Sequence, residues 1–137
     1  MRTTTFILVL IFSMLSATAQ AMDADRSVRA AEQLIQSHYM HRDRLATIHR
    51  VLRIDRHLGA YRATASDAEL VARVNADLRV ASNDVDLRLM LKDTGALAGS
   101  AERGGVICGN QSAGVPRIAY FDIGERLQLA VPTCSPS

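Results

Sequence analysis

The chain has 137 residues, with 16 Lys plus Arg set against 14 Asp plus Glu, and this near-neutral balance gives no electrostatic reason to expect a nucleic-acid partner. Three Phe, three Tyr and no Trp, with Phe6 and Phe12 close to the amino terminus, leave too few rings for a stacking platform for single strands or sugars. A chain of this size buries roughly 65% of its unfolded surface, so a core is possible without metals.

The first segment reads MRTTTFILVLIFSMLSATAQAMD. Arg2 precedes an apolar run from Phe6 to Leu15, and small residues follow as Ala17-Thr18-Ala19 or Ala19-Gln20-Ala21. That is the layout of a secretory signal peptide, and the run is shorter than the roughly 20 residues of a membrane-spanning helix. Cleavage is expected near Ala21, giving an exported chain, periplasmic or secreted, with no transmembrane segment in its mature part.

Between residues 25 and 62 there is no Pro and only Gly59, and apolar side chains recur at steps of three and four: Val28, Ala31, Leu34, Ile35, then Leu45, Ile48, Leu52. The interval from His38 to Arg44 lacks a clean stripe, so the region is helical as one helix or two. Ser66-Asp67-Ala68-Glu69 has the form of a capping box, and Leu70, Val71, Val74, Leu78 and Ala81 behind it share one face. A helix is predicted from about Asp67 to Ala81, ended by Ser82-Asn83-Asp84.

The period then changes to two: Val85, Leu87, Leu89 and Leu91 alternate with Asp86, Arg88, Met90 and Lys92, as in a half-buried strand. Residues 95–104 read as a long loop, 106–108 as a short strand and 109–116 as a turn. Residues 117–123 and 126–131 read as strands joined at Gly124-Glu125. The expected organisation is a signal peptide over 1–21 and a single α+β domain over 22–131, helical across 25–81 and sheet across 85–131, with a loose tail at 132–137. The sheet is expected to be a small antiparallel meander of about four strands, closed by one disulfide.

The stretch GGVICGNQSAG, Gly104 to Gly114, carries Cys108. Its glycine spacings match a phosphate loop twice, but neither is followed by the Lys and Ser/Thr such a loop needs. Cys108 and Cys134 are the only cysteines, and an even count in an exported chain reads as a disulfide. Closing a loop of roughly 26 residues stabilises a fold by about 3 kcal/mol on the chain-entropy model. A thiol-dependent enzyme using Cys108 is an alternative, although nothing in the spacing places a base beside it. His38, His41, His49 and His57 form no ligand cluster, so no metal, cofactor or catalytic residue is expected.

The segment from Met40 to Arg62 is rich in Arg. On a continuous helix Arg42, Arg50, Arg53 and Arg56, with His49 and His57, fall within about 120° of one another. Such a stripe suits anions, whether an anionic envelope surface or an acidic envelope protein. A solvated face whose Arg are paired to nearby acids gives the same pattern.

Val106-Ile107-Cys108-Gly109-Asn110, then Ser112-Ala113-Gly114 and Phe121, resembles the carboxy-terminal segment of small exported proteobacterial proteins of unknown function, in which V-C-G-x-x-N precedes a glycine-rich turn. Here Asn110 follows Gly109 directly and Pro116 interrupts the turn. The resemblance implies only a small exported α+β domain. The functional expectation is a non-catalytic envelope accessory or binding protein acting through the Arg-rich helix face. The alternative to it is a secreted inhibitor or immunity-type protein that engages its partner through the loop at 94–105.

Overall fold

A computed structural model of the chain describes residues 23–92 and 114–136. The expected signal peptide, the loop at 94–105, the strand at 106–108 and Cys108 lie outside the described residues. Three α-helices come first: α1 over residues 23–38, α2 over Leu45–His57 and α3 over Asp67–Ser82. Three strands follow: β1 over Arg88–Leu91, β2 over Gly114–Ile123 and β3 over Leu127–Pro136. The fold is therefore α+β with an antiparallel sheet.

The helical region before Gly59 is two helices. Helix α1 buries Ala24, Val28, Ala31 and Ile35 at the three- and four-residue steps seen in the sequence. It stops at Tyr39, where the chain turns so that the Met40 N–H donates to Pro132 O at 3.1 Å. A 3-10 turn at Arg42–Arg44 leads into α2, which buries Ile48 and Leu52.

Helix α3 starts as its sequence requires. The Ser66 hydroxyl accepts from Glu69 N at 3.2 Å, while the Glu69 carboxylate reaches back to Ala65 N at 2.8 Å, one residue beyond the usual box. Asn83, at φ 52°, ends it in the left-handed conformation.

The sheet departs from the expected meander. Its order is β1-β3-β2, with the last strand in the centre, and it has three strands among the described residues rather than four. The reason lies in β3, where Leu127, Leu129, Ala130 and Val131 are all buried, a run that belongs between two neighbours. β2 begins at Gly114, so residues 114–116, expected as part of a turn, are strand: Gly114 pairs with Pro136 and Pro116 with Cys134. The supposed loose tail is the end of the central strand. β1 is shorter than expected, because Asp84 Oδ1 accepts from Asp86 N at 2.9 Å and bends the chain before Arg88.

Pro132 sits in β3 without penalty. β1 reaches only as far as the Arg88–Ala130 pair, so among the described residues no strand on that side asks Pro132 for an N–H, and its carbonyl takes Met40 N instead. The hairpin between β2 and β3 turns at Gly124, φ 63°. Leu89, Leu129 and Phe121 form one row of side chains across the sheet, and Leu127 and Ile123 belong to the next. These rows and Val131 meet the buried stripes of the three helices in one core.

Candidate functional site

The four arginines of the expected stripe are divided by the fold. Arg42 lies in the 3-10 turn, off α2, and caps the end of α1: Nη1 donates to Gln36 O at 2.7 Å and Nη2 to Ser37 O at 3.3 Å. Arg56 turns inward, with Nη1 2.7 Å from Glu32 Oε2 and a side chain only 18% exposed. Arg50 and Arg53 remain exposed and have no hydrogen-bond or ion-pair partner among the described residues. The continuous helix assumed for the stripe is interrupted before Leu45, which is why Arg42 leaves it.

Glu32, which the sequence reading missed, is the centre of the arrangement. It stands within the buried stripe of α1, four residues after Val28 and three before Ile35, and its side chain is 10% exposed. A carboxylate there needs partners from elsewhere. Arg56 supplies one to Oε2, and His49 Nδ1 lies against Oε1, which has no other donor among the described residues. The signal was in the sequence as one acid inside an apolar stripe, but the spacing within α1 could not say that α2 answers it.

A half-open cavity of about 220 Å³ lies beside this carboxylate, between α1 and the first turns of α2. Ile35, Leu45, Ala46 and Ile48 make its apolar walls, and Glu32, Gln36 and His49 its polar ones. On α2, Ala46, His49, Arg50, Arg53 and His57 lie within an arc of about 100°. The two unpaired arginines thus stand on the same side of the helix as the mouth of the cavity.

Other polar clusters hold the fold together. Tyr61 is fully buried, and its hydroxyl donates to Asp77 Oδ2 at 2.8 Å. Arg73 Nη2 meets Asp55 Oδ2 at 2.6 Å and thereby joins α3 to α2. Burial, more than any neighbour, raises the Asp77 carboxyl above its ordinary range, with Asp55 pushing the same way and the Tyr61 bond and Arg73 opposing. A second cleft, of about 280 Å³, opens where α1 and α3 begin, but Arg126 on its wall is already taken by Asp23 at 3.5 Å and Asp67 at 3.1 Å.

Three of the four histidines have neighbours: His38 stacks on Phe121 at 4.5 Å, His41 meets the edge of Tyr39, and His49 meets Glu32. Among the described residues no group of three or more His, Cys, Asp or Glu could hold a metal ion. No helix of the described residues is long and apolar enough to cross a membrane. No described cysteine is a free thiol, and Cys134 Sγ lies 3.9 Å from Met40 Sδ.

A family model described as the N-terminal domain of Peptidase_S41 in eukaryotic IRBP matches residues 17–111, more than half of the chain, and the chain belongs to that family. The match takes in the three helices and β1 and stops before β2, so the central strand of the sheet comes from outside it. Comparison with curated proteins and with solved structures found no match.

Proposed function

We propose that the protein is an exported, non-catalytic envelope accessory unit that binds an anionic partner through the exposed face of α2. The observation that carries this reading is the contrast among its arginines. Arg56, Arg62, Arg73 and Arg126 are each paired to an acid, whereas Arg50 and Arg53, one turn apart, have none among the described residues. Unpaired cations on one helix face raise the local anion concentration even on a near-neutral protein. Membership of a family described as an amino-terminal domain of a peptidase supports an accessory role rather than a catalytic one.

The export reading rests on the amino-terminal segment and on the cysteines. A Cys108–Cys134 disulfide would tie the segment before β2 to the end of β3, where Cys134 stands opposite Pro116. It is supported by the even cysteine count and by the absence of a free thiol among the described residues. Counting free thiols in the unfolded, unreduced protein tests it: zero in a monomer is expected, and two would overturn it.

The binding face is tested with the double variant Arg50→Glu/Arg53→Glu against poly-glutamate and phosphatidylglycerol vesicles. Loss of binding to both, with the helical spectrum intact, is the expected result. Binding equal to that of the unmodified chain removes the proposal.

A further inference from the structure

We propose that the groove between α1 and α2 docks an acidic peptide segment, which inserts one aliphatic side chain into the cavity beside Glu32 and His49. This rests on the anion-binding reading of α2 and adds to it the class of partner and its anchor.

The cavity sets the size of the anchor. At about 220 Å³ it is smaller than the roughly 300–1,000 Å³ typical of small-molecule sites, and it is half open, which suits a side chain projecting from a chain that stays outside. Its walls are aliphatic, from Ile35, Leu45, Ala46 and Ile48, so the group it takes is aliphatic too.

The rim sets the charge. Among the described residues Glu32 is the only carboxylate lining the cavity, and Arg56 already answers it. Arg29, one turn before Glu32 on α1, is exposed and, like Arg50 and Arg53, has no partner among the described residues. Arg42 closes the end of the groove at Gln36. An acidic chain meets cations on both helices, and those cations lose no existing ion pair when it arrives.

The polar lining sets the backbone contact. Contact through Nδ1 fixes the His49 ring against Glu32 and leaves Nε2 for a backbone group of the guest, while the ring stays 52% exposed. The Gln36 side-chain amide, on the opposite wall, makes no hydrogen bond among the described residues. One aliphatic pocket flanked by two polar groups is how a peptide in a groove is read.

A lipid surface fits less well. It would use the exposed apolar residues of α2, and Ile54, 49% exposed, stands one turn from Arg50, but both it and Leu58, 74% exposed, lie roughly 140° or more around the helix from His49, so a membrane that reaches them leaves the cavity unused.

The test uses the full processed chain and fluorescent decapeptides of Glu and Ser with a central Leu, a central Ala, or a central Leu among Gln in place of Glu. Phosphatidylglycerol vesicles run beside them. The Leu peptide is expected to bind about tenfold more tightly than the Ala peptide. The Gln peptide should bind weakly. Ala46→Phe, an exposed position that fills the cavity mouth, should erase the Leu preference while leaving the charge-dependent binding. Amide shifts at Ile35, Ala46 and Ile48 in the unmodified chain read the same site without a substitution.

Equal affinity for the Leu and Ala peptides, or shifts confined to Arg50 and Arg53, would overturn the inserted anchor and leave the basic face standing. Binding to vesicles without binding to any peptide would overturn the peptide as partner. If Arg50→Glu/Arg53→Glu changes no anionic binding at all, the reading of α2 itself fails, separately from the cavity.

Discussion

Asn75 on α3 stands in for a strand beside Leu89 on β1. Its Oδ1 accepts from Leu89 N at 2.7 Å and its Nδ2 donates to Leu89 O at 2.8 Å. Leu89 pairs with Leu129 across the sheet, and the amide supplies on its other side what a further strand would supply. Replacing Asn75 by Ala removes both bonds and leaves two backbone groups in a part-buried place. The expected cost is about 2 kcal/mol, at a net of roughly 1 kcal/mol for each bond. Asn75→Asp keeps the acceptor for Leu89 N but sets a carboxylate oxygen against Leu89 O, where Nδ2 now stands at 2.8 Å, so it should be at least as destabilising as the Ala variant. Urea midpoints at constant slope measure the series; an Ala variant as stable as the original would show that β1 does not depend on this contact.

How much of this could be read beforehand depended on the distance along the chain of what decided each feature. Helix α3 was legible because its signals are local: Ser66 and Glu69 at one end, Asn83 at the other, one apolar face between. The break after α1 was legible only as an untidy interval, because what completes it is the Met40–Pro132 bond, made with the far end of the chain. For the same reason 132–136 looked like a tail: Pro132, Cys134 and Pro136 read as coil until a partner strand reaching back to Gly114 is known. The candidate site follows the same rule. Helical spacing alone puts Arg50 and Arg53 on one face of α2, but the pairing of Arg56 to Glu32 joins two helices, and spacing within either cannot show it.

Glu32 and Arg56 should be worth more to each other than to the fold. The Glu32 side chain is 10% exposed and that of Arg56 18%, so removing Arg56 alone leaves a buried carboxylate whose one remaining ion-pair partner among the described residues is His49. Arg56→Met is expected to destabilise by about 3 kcal/mol, the range for breaking one side of a buried pair. Glu32→Gln/Arg56→Met should recover a large part of that loss, because no uncompensated charge remains. Thermal or urea unfolding of both variants and of Glu32→Gln closes the cycle. Strict additivity would mean that the two side chains are not coupled.

One substitution should raise stability. Asn83 holds φ 52° at the end of α3, where its N–H donates to Arg79 O at 2.9 Å. Glycine adopts that conformation with less strain and keeps the same N–H, so Asn83→Gly is expected to gain about 0.5 kcal/mol. The gain is small because Asn is itself the best tolerated of the other residues there. A lower unfolding midpoint would instead mean that the Asn83 side chain does something the described contacts do not include.

The two fully buried tyrosines set the alkaline limit of the fold. Tyr39 donates to Asp84 Oδ2 at 2.9 Å and Tyr61 to Asp77 Oδ2 at 2.8 Å. Burial, followed by the bond to that carboxylate, pushes both phenols well above their ordinary range. The folded chain therefore keeps both protons at a pH where the unfolded chain, with phenols near 10, releases them. The stabilisation is complete below that value and is lost progressively as the pH rises beyond it. Phenolate absorbance from Tyr39 and Tyr61 should accordingly appear together with the loss of helical circular dichroism, not before it. Tyr39→Phe/Tyr61→Phe is expected to be less stable at neutral pH, having lost two donors to carboxylates, yet to lose stability less steeply in alkali. If both phenols of the unmodified chain ionise while the helical signal is unchanged, their protons are not linked to folding and the two Tyr–Asp contacts do not set the alkaline limit.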